Sequence, residues 1–356
     1  LKVQPFTADL AGAVKEFNAR LRAGGADPEL LFPEFQDRQG LEERLLMVDE
    51  DAVRGAFILQ HQDFWLGKER TSIAHFRLPL SEGIVNRKYA NVGMQLVREA
   101  LRRQPRLFAL GMGGRHRPLP RLLEAMKWQV WDVPFYFFVN RPARFLHGIR
   151  ALRTTWWRRA ALDTAAFSGL GWIGACLWNL VGSKTAPAIE NAETIKSFSP
   201  WANELWNSCT DSYSFLAVRD SATLSLRYPD GSARFHRKVL RRNGRAAGWF
   251  VALDTAMRDH RQFGNLRVGT IADVFARPQD ATAVIQAAAR FLRAQDVDVI
   301  ISNQMHAAWG DGLRAAGFLQ APSNFALAVS LSLKEFCGDG RGIHMNRGDG
   351  DGPIHL

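Results

Sequence analysis

Apolar residues recur along this chain in two alternating rhythms. In residues 8–23, ADLAGAVKEFNARLRA, they fall at helical spacing. ERLLMV, VRGAFILQH and TSIAHFRLPL then read as strands, the first two joined by the turn DEDA. The helical period returns from Val92. RLFALGM follows as a buried strand, PLPRLLEAMKW as a short helix with proline near its start, and VPFYFFVN as another strand. The predicted order is α, β, β, β, α, β, α, β.

A similar order comes round again roughly 190 residues later, a separation far too long for a solenoid repeat. SFLAVRD and ATLSLRY read as strands. RFHRKVLRRNGRAAGWFVAL reads as a hairpin, because Asn243-Gly244 sits between two alternating runs. NLRVGTIADVFA is a strand, ATAVIQAAARFLRAQ a strong helix, VDVIISNQ a strand, GDGLRAAGF a short helix and NFALAVSLSL a last strand. The pattern predicts two copies of one α/β fold, over residues 1–141 and 206–334. Residues 142–205 form a helical connector and 335–356 a Gly- and Asp-rich tail.

The connector changes the picture. RPARFLHGIRALRTTWWRRA carries six arginines and no acid, the following 22 residues hold only Asp163 as a charge, and six of the eleven tryptophans lie between Trp156 and Trp206. Residues 160–182 approach the length of a bilayer crossing. A crossing would put the two halves on opposite sides, so the alternatives are a helix lying on an anionic membrane surface and helices packed between domains. Phe145, Leu146, Ile149, Leu152 and Trp156 share one helical face.

At 356 residues the chain suffices for two ordinary domains. A hydrophobic share of 47% and a charged share of 23% indicate a globular protein. The net charge of +11 and pI near 10.0 favour polyanionic company: nucleic acid, anionic lipid or phosphate-bearing small molecules. No helix-turn-helix, zinc-finger or RNA-binding signature is present, which disfavours nucleic acid. Cys176, Cys209 and Cys337 are odd in number and scattered, giving neither a disulfide framework nor metal-ligand spacing. Reduced thiols and the lack of a leader segment give the expectation of a cytoplasmic protein, with the connector as its contact to a membrane surface. Asp349 and Asp351 in RGDGDG invite a calcium reading, but the other ligands of a binding loop are missing; the expectation is a flexible tail, which His344 and His355 do not change, and no metal site.

The candidate chemistry starts where TSIAHFRLPL runs through NRKYANVG into the helix from Val92. A strand, a small-residue loop and a helix aim backbone N–H groups, at the positive end of the helix dipole, toward an anion. This element resembles the acyl-CoA-binding element of the GNAT superfamily of acetyltransferases, whose loop reads Q/R-x-x-G-x-G/A. The matching register is Lys88-Tyr89-Ala90-Asn91-Val92-Gly93, with only the last glycine strictly kept. The second half offers RPQDATA, where Arg277 alone fits. In the helix that follows, the family often has a general-acid tyrosine before a Gly-Phe-like turn; here Leu123 and Leu313 take the tyrosine position, Trp128 the Phe position, and Gly317-Phe318 keeps the turn in the second half.

The resemblance implies two GNAT-like domains, each a mixed, mostly antiparallel sheet flanked by helices. It implies an N-acyltransferase using acetyl-CoA or another acyl-CoA on the amine of a small molecule or amino sugar, with polysaccharide assembly as one setting; the rival is a catalytically silent scaffold at a membrane. Arg87, Lys88, Ala90, Asn91, Val92 and Gly93 would hold the diphosphate. Attack on the thioester needs a neutral amine and hence a base. The candidates are His75 and Glu82 in the first half, and Asp273 and His306 in the second. Asp273, inside an apolar strand, needs a partner or a function; a structural ion pair with an arginine is its other reading. Arg219, Arg227, Tyr228 and Asn303 are the acceptor-side candidates, Arg219 to Tyr228 resembling a stretch of GNAT-like and FemAB-like proteins.

Overall fold

The computed structural model describes residues 1–27, 30–36, 42–150 and 192–350. The chain forms two compact units, and they do not follow the sequence cuts. The first comprises Leu1–Phe64, Glu69–Asp132 and Ala326–Phe336; the second comprises Trp65–Lys68, Val133–Phe325 and the chain from Cys337.

In the first unit, strand β1 (Lys2–Pro5) leads through a 3-10 turn into helix α1 (Ala11–Ala23), which buries Val14, Phe17 and Leu21 at helical spacing. Strands β2 (Glu42–Asp49), β3 (Ala52–Leu66) and β4 (Glu69–Ser81) are followed by helix α2 (Val92–Arg103), β5 (Leu107–Gly111), helix α3 (Pro118–Ala125) and β6 (Gln129–Asp132). Strands β7 (Phe135–Val139) through β14 (Leu319–Ala321) belong to the second unit and β15 (Ala326–Val329) returns to the first. The first sheet runs β1-β2-β3-β4-β5-β15-β6. Leu96, Val97 and Ala100 of α2 pack on Phe57, Ala74 and Phe76 of that sheet.

The second unit contains β7, helix α4 (Pro142–Gly148), β8 (Glu193–Thr194), helix α5 (Pro200–Cys209), β9 (Phe215–Ala217) and helix α6 (Ser221–Arg227). The hairpin β10 (His236–Arg242) and β11 (Arg245–Ala256) precedes β12 (Arg267–Ala276), helix α7 (Ala281–Ala294), β13 (Val299–Asn303), helix α8 (Ala307–Ala315) and β14. After the short helix α9 (Lys334–Cys337) in the connecting stretch comes β16 (Ile343–His344), parallel to β9. The sheet order is β14-β7-β13-β12-β11-β10-β8. Asn243 and Gly244 take φ of 52° and 76°, the left-handed pair a two-residue hairpin turn demands.

Four expectations need correction. The order of the pattern puts VPFYFFVN in the first domain, but β7 pairs with β13 and β14; it puts NFALAVSLSL in the second, but β15 pairs with β5 and β6. Each unit is thus completed by a strand from the other half of the sequence, and an alternating apolar pattern does not say which sheet a strand joins. ATLSLRY is helix α6 and not a strand, because Asp220 caps it by accepting from the Thr223 amide at 2.8 Å. The tail up to Gly350 is built into the second unit. Of the connector, Leu152, Trp156 and the 160–182 stretch lie outside the described residues, as do Asp351 and His355; among the described residues no helix is long and apolar enough to cross a membrane.

Candidate functional site

In both units the strand leading to the loop parts from its parallel neighbour. β4 pairs with β5 only at Ala74↔Leu107 and His75↔Phe108, and β12 pairs with β13 only from Val268↔Val299 to Ile271↔Ser302. Both β4 and β12 are also irregular near their ends. Leu78 adopts φ of 46°, and β12 shifts register against β11 between its partners Ile271 and Asp273.

From Ser81 the first unit makes two 3-10 turns, Glu82–Ile84 and Arg87–Tyr89, before α2. Most of the amides expected to face an anion turn inward. The Asn86 Oδ1 accepts from the Lys88 amide at 3.1 Å, and the Tyr89 and Ala90 amides donate to the carbonyls of Asn86 and Arg87. The amides of residues 88–90 are thus satisfied within the loop itself. What remains open is the first turn of α2, at Val92 and Gly93, since Asn91 at its N-cap makes no side-chain cap bond. Arg87, Lys88, Ala90 and Asn91 are exposed beside it, whereas Val92 is buried in the core. A Cβ on Gly93 would meet Leu122 Cδ2 of α3 at 3.7 Å and Ser81 Cβ at 3.9 Å, both ordinary contacts. The protein's own packing therefore does not require that glycine. Gly83 is the one it does require: a Cβ there would fall 2.4 Å from the Tyr89 carbonyl oxygen.

The first unit's base candidates are held. Buried Glu82 accepts from Arg20 Nε at 3.2 Å and from Arg54 Nη1 at 3.1 Å, tying α1 and β3 to the loop. His75 Nε2 accepts from the Leu110 amide at 3.2 Å, and its ring stacks on Phe108 with centroids 4.6 Å apart. That amide lies just past the last β4–β5 pair, so the imidazole supplies the acceptor that the departing strand no longer does.

The second unit fills the corresponding places. Its loop is Arg277-Pro278-Gln279-Asp280: Pro278 has no N–H, and the Asp280 carboxylate already stands at the start of α7, paired with Arg242 Nη2 at 2.7 Å. A Cβ on Gly312 of α8 would lie 3.0 Å from Thr282 Cα, so α8 is backed directly against the first turn of α7. The segment 343–350 runs beside the parting strands. Met305 donates to the Met345 carbonyl at 3.0 Å, Gln304 bridges to Asn346, and the Asn346 side chain donates to Asp273 at 2.8 Å.

This segment closes a buried ion cluster. Asp273 Oδ1 accepts from Arg219 Nε at 3.1 Å and Nη2 at 3.0 Å, and Oδ2 accepts from the Tyr228 hydroxyl at 2.9 Å. Asp349 accepts from Arg219 at 2.7 Å and from Arg227 at 3.0 Å. Two carboxylates face two guanidinium groups, so the cluster is neutral as a whole. Burial alone would raise the Asp349 carboxyl, but Arg219 and Arg227 outweigh it and hold it below the ordinary range. Burial, reinforced by Asp273, pushes the Tyr228 phenol well up, so it donates and does not ionise. Asp273, Arg219, Arg227 and Tyr228, expected at an acceptor site, are thus brought together as partners of one another. Asp349, expected in a flexible tail, is a buried member; the Asn346…Asp349 spacing of a capping box was its signal in the sequence.

His306 caps α8 by accepting from the Ala308 amide at Nδ1, 3.2 Å, and burial lowers its pKa. Asn303 is buried; its Oδ1 accepts from Arg347 Nε at 2.8 Å. Leu123 and Leu313, where the family has its phenol, are both fully buried. Among the described residues no group of three or more His, Cys, Asp or Glu side chains could hold a metal ion.

No protein-family model matches the sequence, and no curated protein matches it. Solved structures do. A conserved protein of Enterococcus faecalis V583, described as a probable N-acyltransferase, aligns over 94% of this chain and 74% of its own at 10% identity, with a TM-score of 0.52. Saccharomyces cerevisiae N-myristoyltransferase, solved with bound myristoyl-CoA and inhibitors, aligns over 92% of this chain and 79% of its own at 10% identity, with a TM-score of 0.50. At such identity the likeness is one of fold, and the fold of this chain is the two-domain GNAT-like one.

Proposed function

We propose that the chain is an acyl-CoA-dependent N-acyltransferase whose donor site lies in the first unit, at the end of β4 and the first turn of α2. The acceptor is an amine of a small molecule or amino sugar. The observation that carries this reading is the contrast between the two strand-loop-helix elements. One keeps an uncapped helix start flanked by exposed Arg87 and Lys88; the other has a carboxylate and a neighbouring helix in that place. A diphosphate gains from the first arrangement and is repelled by the second.

In the reaction the amine nitrogen attacks the thioester carbon, the CoA sulfur leaves with the bond electrons, and the amine loses a proton. Of His75, Glu82, Asp273 and His306, we keep His75 for that proton: it stands where β4 and β5 part, its Nε2 takes the proton on releasing the Leu110 amide, and the proton passes on to the leaving thiolate. His75→Phe should lower kcat with acyl-CoA affinity unchanged; an unaltered kcat removes the role. The scaffold reading rests on Leu123 and Leu313, and it requires acyl-CoA binding, if any, without turnover on any amine tested.

Titration with acetyl-CoA and longer acyl-CoAs, read by thermal shift, tests the donor site, because a ligand of the native state raises its stability by mass action. Gly93→Val should keep the fold, since the first carbon meets only ordinary contacts, and weaken acyl-CoA binding about tenfold or more, roughly 1.4 kcal/mol. Folded wild-type protein that responds to none of these at millimolar ligand would remove the donor reading.

A further inference from the structure

Three arginines accompany the segment 343–350 in the second unit, and one differs from the others. Arg219 and Arg227 meet the carboxylates of Asp273 and Asp349. Arg347 is partly buried, yet among the described residues no carboxylate pairs with it and no group accepts from its Nη1 or Nη2. Its Nε donates to Asn303 Oδ1 at 2.8 Å, and its guanidinium lies 5.7 Å from the centroid of the Phe325 ring. Asn303 is fixed in turn by its Nδ2, which points to the carbonyls of Val133 and Pro134 at 3.4 Å each. Only the Nε side of the guanidinium is therefore used, and it is used by a neutral oxygen.

Burial pulls the Arg347 pKa down to about 10, with no acid among the described residues to offset it. Withdrawing a cation from water without a counter-charge costs several kcal/mol, and a side chain needed only to brace this segment could be neutral. A fork anchored along one edge, with two donors left on the other, is the arrangement that takes both oxygens of a carboxylate or phosphate.

We propose that the Nη1–Nη2 edge of Arg347, positioned by Asn303, is an anion site of the second unit, made for the carboxylate or phosphate group of a small molecule. Calling that molecule the acceptor rests on the acyl-transfer reading; the site itself does not.

The test uses the full chain with benzoate and phenyl phosphate as probes, titrated at constant ionic strength and read by thermal unfolding and calorimetry. One probe should bind saturably. A response to benzoate alone assigns a carboxylate, and one to phenyl phosphate alone a phosphate. Arg347→Gln should lose at least tenfold in probe affinity while remaining as stable as wild type without probe. Arg347→Lys, which keeps the charge without the fork, should fall between them. Acyl-CoA titrated into the same samples reports on the donor site separately and should be unaffected. The proposal is overturned if neither probe binds, if Arg347→Gln binds as wild type does, or if Arg347→Gln is markedly less stable without probe, which would make the residue a strut. It is also overturned if the response appears only after residues 351–356 are removed, because a carboxylate of that segment would then be the partner.

Discussion

The turn after β4 and the turn after β12 begin from the same plan and end in opposite electrostatic states. Each follows a strand that has parted from its parallel neighbour, and each feeds an amphipathic helix. After β4 ten residues intervene, two 3-10 turns satisfy their own amides, and α2 starts uncapped beside two exposed cations. After β12 four residues suffice, and the start of α7 is occupied by Asp280 and covered by α8. A helix dipole offers the same partial charge in both places. What differs is whether the protein has spent that charge on itself, and the second unit has, holding its own segment 343–350 against the strands where they part.

The strongest way to break this contrast is to attack that segment. Asp349→Ala leaves buried Arg219 with one carboxylate and Arg227 with less, which should destabilise the fold by about 3–5 kcal/mol. Urea unfolding checks it. The same variant, if it remains folded, should bind acyl-CoA as wild type does; gained acyl-CoA binding at the second unit would reverse the assignment of the halves.

A smaller effect sharpens the first turn. Reversing both charges, Arg87→Glu with Lys88→Glu, should weaken acyl-CoA binding by about 1–2 kcal/mol, roughly 5- to 30-fold, and reduce its sensitivity to salt. Arg277→Glu should leave affinity unchanged by calorimetry. The opposite pattern would move the donor site to the second unit.

The smallest effect comes from His344, fully buried with neither ring nitrogen bonded among the described residues and with its ring edge-on to Tyr213 and Trp309. Burial, then Arg219, pushes its pKa well below the ordinary value near 6.5. The unfolded chain therefore takes up a proton below about pH 6.5 that the folded chain refuses. Stability should fall as pH drops through that window, by at most about 1.4 kcal/mol per unit. The change at Asp349, whose carboxyl is lowered, comes only below about pH 4. His344→Phe should flatten the upper part of the profile in unfolding experiments at pH 5 to 7; an unchanged slope would mean that His344 is not its source.

Legibility followed the range of the interactions. The 3.6-residue period of VGMQLVREALRR and the alternation on either side of Asn243-Gly244 were enough to place α2 and the β10–β11 hairpin, because side-chain direction and turn geometry are set within a few residues. ATLSLRY misleads for a local reason: its apolar alternation outweighs the capping residue Asp220 just before it. The site residues were harder. Asp273 was recognised as a charge in need of a partner, yet nothing local says that the partner is Arg219, or that Asp349, 76 positions further on, completes the pair.

By itself the sequence determined two rounds of strand, helix and strand, a basic loop ahead of α2, and a buried acid in β12, since these follow from periodicity and from the cost of an unpaired charge. Only the tertiary structure decided that β7 and β15 complete the sheets of the opposite halves, that the amides of residues 88–90 turn inward, and that, among the described residues, Arg219 and Arg227 meet carboxylates while Arg347 meets none. Strand partners and ion pairs are chosen among groups far apart in the chain by how much surface and charge each choice removes from water, and no local pattern records that choice.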